Sequence, residues 1–171
     1  MKLTDDLCAH GRRIAAQRLE ALLAEVEGVR SGEDIEYVHR MRVASRRLRS
    51  ALRIFGECFK GKKAKRWRKA VRQVTASLGE ARDLDVQIEL LGEMAKDWQG
   101  EEAVGVALII EMLRCRRTSL QPGVAALMDG ITGDGAFQEM RSEIADRERS
   151  NVDTSVLHPY AFAHASVAVD E

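Results

Sequence analysis

Leu7, Ile14, Leu19, Leu22, Leu23 and Val26 recur at near-helical spacing and predict a first helix over residues 5–28. The stretch SGED at 31–34 breaks that pattern and offers a cap, with Ser31 three residues ahead of Asp34. A second helix is predicted from Ile35 to Phe59, with Gly61 as its stop, and a third from Lys63 to Leu78, ended by Gly79. A fourth begins near Asp83, whose carboxylate suits a helix N-terminus, and reaches Trp98. A fifth covers Glu101 to Leu120 and is terminated by Pro122 and Gly123. A short helix over 123–129, the glycine-rich DGITGDG and a last helix over 136–149 follow. Nothing alternates in the manner of a strand run. The pattern implies an all-α fold, an antiparallel helical bundle of four or more long helices, over residues 1–150, with a weakly patterned tail at 151–171. Composition agrees, with only two prolines in 171 residues and helix formers dominant.

The second predicted helix contains the stretch YVHRMRVASRRLRSALRIF, residues 37–55, with six arginines, one histidine and no acid. On a helical wheel advancing about 100° per residue, Met41, Ser45, Leu48, Leu52 and Phe55 fall within about 40° of one another's mean direction and form the core face. His39, Arg42, Arg46, Arg49 and Arg53 line one edge beside it, while Arg40 and Arg47 sit elsewhere. In the third helix Lys65, Arg68, Lys69 and Arg72 share a face at i, i+3, i+4 and i+7. Like charges crowded on a helix repel, and guanidinium groups are planar, permanently charged and shaped to grip two oxygens of one phosphate. Two such helices side by side present a rail of anion contacts rather than a single pocket.

Overall charge hides this segregation. Lysines and arginines number 27, as do the acids. Fourteen of the bases lie between Arg40 and Arg72 with a single acid, Glu57, which leaves thirteen bases and 26 acids elsewhere. Charge distribution speaks to partners rather than to fold. The bland alternatives are a solvated face, or pairing of the cations with Glu89, Glu93, Asp97, Glu101 and Glu102.

No apolar run is long enough to span a membrane, and the first residues lack the apolar stretch of a signal peptide. Cys8, Cys58 and Cys115 are odd in number, far apart and not in a CxxC pair, which argues against a zinc site or a disulfide framework and for a reducing cytoplasm. The four histidines show no i, i+4 pairing, so no metal site and no cofactor are expected.

The stretch at 37–55, followed by LGEARDLDV at 78–86, resembles the CHAD domain, the conserved histidine α-helical domain. The resemblance rests on H-x-x-R-V-x-x-R-R-L-R together with R-D-x-D-V. It implies an all-helical fold of two similar four-helix lobes around a basic cavity that binds inorganic polyphosphate without catalysis, in the cytoplasm and at polyphosphate granules. By motif, His39, Arg42, Arg46, Arg47 and Arg49 correspond to the family's basic helix, and Arg82, Asp83 and Asp85 to its R-D-x-D-V element. Carboxylates cannot attract polyphosphate, so Asp83 is expected to cap its helix and Asp85 to orient an arginine, with Arg82 facing the ligand. No second basic helix follows, and the chain resembles one lobe, with 151–171 as the start of a missing second. A homodimer would restore the two-lobed cavity.

The ligand residues expected are therefore His39, Arg42, Arg46, Arg47, Arg49, Arg53, Lys65, Arg68, Lys69, Arg72 and Arg82. Competing readings are a nonspecific nucleic-acid-binding helical domain and an accessory domain of a triphosphate-processing enzyme. Tyr37, Phe55, Phe59 and Trp67 are the aromatics of the basic region, and Phe55 belongs to the core face, so no base-stacking platform is evident. An enzyme would need clustered acids or a nucleophile, and none accompanies the basic stripe.

Overall fold

The computed structural model of the chain describes residues 4–59, 62–133 and 135–148, so the tail at 151–171 lies outside the described residues. The described residues form an all-α fold of seven α-helices: α1 Asp5–Leu23, α2 Val26–Ser31, α3 Glu36–Ile54, α4 Lys63–Ser77, α5 Gly79–Met94, α6 Gly100–Gly133 and α7 Gly135–Glu148. A 3₁₀ turn at Gly56–Cys58 joins α3 to α4.

Each helix is placed by a buried stripe. Helix α1 starts where the Thr4 hydroxyl accepts from the Leu7 amide, with Asp5 and Asp6 in its first turn, and buries Ala15, Leu19 and Leu22. The expected core face of α3 is buried at every position, from Met41 and Ser45 through Leu48 and Leu52 to Phe55. Trp67 fills the centre of the core from α4, with the Phe59 ring edge-on to it at 5.3 Å. Helices α3 and α4 run antiparallel: the Ser45 and Thr75 hydroxyls meet at 2.8 Å, while Gly56, just past α3, lies against Ala64 at the start of α4. Helices α1 and α3 are also antiparallel, and Gly11 allows the closest approach, since a Cβ there would collide with the buried Phe55 ring.

Four expectations need correction. The first helix is two: α1 ends at Leu23 and α2 runs separately to Gly32, whose φ of 69° gives the left-handed stop. The cap at 31–34 belongs to Asp34, whose carboxylate accepts from the Glu36 amide at 2.8 Å. Helix α5 begins at Gly79, so Asp83 is an exposed residue in its second turn and does not cap it. Pro122 does not end α6, which continues unbroken through it. Proline removes one N–H from the ladder, and burial of Val124, Met128 and Ile131 beyond it holds the helix together.

The cysteine expectation is also overturned. Cys8 and Cys58 form a disulfide, and Cys115 remains an exposed free thiol. The pairing is invisible in a spacing of fifty residues because it depends on the antiparallel packing of α1 and α3, which brings the start of one to the end of the other. The cysteines therefore give no support to a reducing compartment. Among the described residues no helix is long and apolar enough to cross a membrane.

Candidate functional site

Between α3 and α4 lies an open trough of about 940 Å³. Arg49, Ser50 and Arg53 line it from α3. Lys62, Lys65, Arg66, Arg68, Lys69 and Arg72 line it from α4 and the residue just before it. The antiparallel register does this: the i, i+4 pair on α3 faces the middle of α4, where the period places bases on the same side over successive turns. No carboxylate is among the lining residues.

Pairing within the chain decides whether these charges are spent. Arg66 meets Glu139 of α7, and Lys63, next to the trough, meets Glu143 at 2.6 Å. Among the described residues, Arg49, Arg53, Lys62, Lys65, Arg68, Lys69 and Arg72 have no carboxylate within 4.0 Å. The acids offered by the sequence as neutralisers sit elsewhere. Glu93 pairs with Lys96 of its own helix region, and Glu89, Asp97, Glu101 and Glu102 are exposed on the α5–α6 hairpin.

Six of the eleven expected ligand residues thus share one surface: Arg49, Arg53, Lys65, Arg68, Lys69 and Arg72. Lys62 and Arg66, which the sequence places in the same basic stretch but off the face shared by Lys65, Arg68, Lys69 and Arg72, join them in the lining. The remaining five are outside the trough lining. Arg46 is exposed one turn before Arg49 and extends the α3 row. His39 is exposed nearer the start of α3. Arg47 is half-buried on another side of that helix. Arg42 donates to the Thr75 carbonyl at 3.0 Å, which satisfies an otherwise orphaned carbonyl in the last turn of α4 and places a cation at that helix's negative end.

Arg82 and Asp85 belong to a different constellation at the base of α5. The buried Asp85 carboxylate accepts from Arg117 Nε at 2.8 Å. Arg117 donates onward to Gln121, whose amide donates to the Val29 and Arg30 carbonyls at the end of α2. One polar chain therefore ties α5, α6 and α2. Burial raises the Asp85 carboxyl above its ordinary range, and Arg117 and, less strongly, Arg82 oppose the shift. Asp85 does orient an arginine, and it comes from α6 rather than from the basic stripe.

A family model described as CHAD domain matches residues 13–158. The chain belongs to the CHAD domain family. CHAD domains are associated with triphosphate-related proteins. Comparison with curated proteins and with solved structures finds no match.

Proposed function

We propose that the α3–α4 trough of this CHAD domain binds inorganic polyphosphate and does no chemistry on it. The observation that carries this reading is the row of seven cations with no carboxylate within 4.0 Å among the described residues, aligned along one open trough. Cations held together without counter-charge raise one another's energy, and a phosphate chain relieves that repulsion along its whole length. Its repeating unit offers only charged oxygens, so a rail of guanidinium and ammonium groups meets everything the ligand has to recognise. The openness of the trough suits a chain that enters and leaves at both ends, and a triphosphate would occupy part of it.

Nucleic acid is the second reading, and the aromatic inventory weighs against it. Phe55, Phe59 and Trp67 are buried, and the Tyr37 ring is covered by the Arg40 guanidinium at 4.4 Å. No aromatic lines the trough for a base to stack on. Catalysis is disfavoured because the lining holds neither a carboxylate nor a histidine to move a proton.

The test is a calorimetric titration with polyphosphates of defined length on the intact chain and on Arg49→Ala/Arg68→Ala. Removing these two guanidinium groups should weaken binding by about 10- to 100-fold without changing helicity. An unchanged affinity would remove the trough from the mechanism. RNA displacing polyphosphate at equal phosphate concentration would establish the second reading instead, and phosphate release from tripolyphosphate with magnesium would overturn the non-catalytic assignment.

A further inference from the structure

Helix α7 lays two carboxylates along the flank of the trough. Glu139 and Glu143 stand one turn apart, and both meet bases of α4. Lys63 Nζ lies 2.6 Å from Glu143 and 3.6 Å from Glu139, Arg66 pairs with Glu139, and the Trp67 indole donates to Glu139 Oε2 at 3.0 Å. On a wheel of about 100° per residue, Lys65, Arg68, Lys69 and Arg72 spread over about 100°, Arg66 stands about 60° beyond Lys69, and Lys63 and Trp67 follow. Arg66 is therefore the boundary residue between two faces of α4, one open to the trough and one turned to α7. It borders the trough while its guanidinium is taken up by a carboxylate.

An exposed ion pair is ordinarily weak, and a phosphate chain anchored by neighbouring cations competes for Arg66 at high effective concentration. The network around Glu139 decides the contest. Trp67 is fully buried and Glu139 accepts from its indole N–H, which fixes the carboxylate before any cation reaches it. Little side-chain freedom of Glu139 is then lost in pairing, and a network of several charges holds where an isolated pair does not. Lys63 sits closer to Glu143 than to Glu139, so Arg66 is the principal counter-charge of Glu139. The Glu139 side chain is 31% exposed, and drawing Arg66 away would leave this half-buried carboxylate short of counter-charge beside an incoming polyanion.

We propose that Glu139 sets the edge of the polyanion site: it holds Arg66 as its own counter-ion, so that seven of the eight cations lining the trough act on phosphate. The assignment rests on the trough's reading as a polyanion site and adds the residue that limits its strength. Glu139 is a positioning residue, acting through Arg66 and touching no ligand.

Calorimetric titration of the full chain with polyphosphate of one defined length compares two arginines in two backgrounds. Arg68→Ala removes a trough cation and should weaken binding about 3- to 10-fold with or without Glu139→Gln. Arg66→Ala should weaken it less than about twofold in the intact chain, and about 3- to 10-fold in the Glu139→Gln background, where Arg66 is released to the ligand. Glu139→Gln by itself should strengthen binding and steepen the slope of log affinity against log salt by about 0.7–0.9, the share of one further phosphate contact. A merely structural clamp between α4 and α7 would change unfolding and leave that slope unmoved. The glutamine keeps an acceptor for the Trp67 indole, and circular dichroism checks helicity. Should that variant not fold, Arg66→Ala against Arg68→Ala in the intact chain still decides, because the Arg66 side chain is 59% exposed. An Arg66→Ala loss equal in the two backgrounds, or as large as that of Arg68→Ala in the intact chain, overturns the role of Glu139. An Arg68→Ala variant that binds as tightly as the intact chain overturns the trough itself, and the role of Glu139 with it, so the two failures are told apart.

Discussion

The α3–α4 face and the α5–α6 hairpin face are each incomplete, in opposite senses. The first concentrates cations that the chain leaves without carboxylates, and the second concentrates hydrocarbon that the chain leaves in water. Excess charge is tolerated because water and salt screen it, and it waits for a polyanion. Excess apolar surface is screened by nothing, and only another surface relieves it. The first face should therefore respond to ionic strength, and the second should be indifferent to it.

The largest effect expected from that contrast is in salt. With about six to seven phosphate groups held in the trough, polyphosphate affinity should fall about 10³-fold between roughly 50 and 200 mM salt, by the counterion-release argument. Calorimetry at the two salt concentrations reads the change. A flat salt response of binding would erase the distinction.

Glycine substitutions sharpen the comparison between packed and projecting regions. Gly11→Ala drives a methyl into the buried Phe55 ring and should cost about 1–3 kcal/mol in denaturant unfolding. Gly105→Ala, within α6 with nothing within 4 Å, should instead stabilise by about 0.5–1 kcal/mol. Equal signs at the two sites would mean that the hairpin is packed in solution in a way its exposure does not suggest.

The smallest effect is in pH. Burial, helped by Arg13, holds His10 below its ordinary value, with its ring edge-on to Phe55 at 6.4 Å. The unfolded chain takes up this proton before the folded one does. Stability from this residue is thus complete above the unfolded value near 6.5 and is lost as pH falls from there through the folded value. His10→Gln should flatten that part of the stability profile, and an unaltered profile would dismiss His10 as its source.

What was legible in the sequence was periodic and local. Met41, Ser45, Leu48, Leu52 and Phe55 announce a buried face because a single helix turns them to one side, and all five are buried. Arg49 and Arg53, with Lys65, Arg68, Lys69 and Arg72, come together because each row is periodic and the two helices are neighbours. What was illegible depended on contacts between distant residues. The Cys8–Cys58 bond requires the α1–α3 register. Arg42 shares a wheel edge with Arg49 yet is committed to the Thr75 carbonyl, because the last turn of α4 lies across it. Asp85 signals an arginine partner without naming it, and that arginine stands 32 positions downstream. Pro122 reads as a stop because a pattern cannot reveal the buried side chains that carry a helix past one missing hydrogen bond.

Helix α6 belongs to both regions. Its first half carries Val104, Leu108 and Met112 outside the packed helices, and its last turns anchor Val124, Met128 and Ile131 within the core. A rod of 34 residues, about 50 Å long, is thus clamped at one end and loaded at the other. Pro122 sits inside the clamp, one residue past Gln121, so torque applied at the tip is met by the ties of Arg117 to Asp85 and of Gln121 to the Val29 and Arg30 carbonyls before it reaches the turn where the ladder lacks a rung.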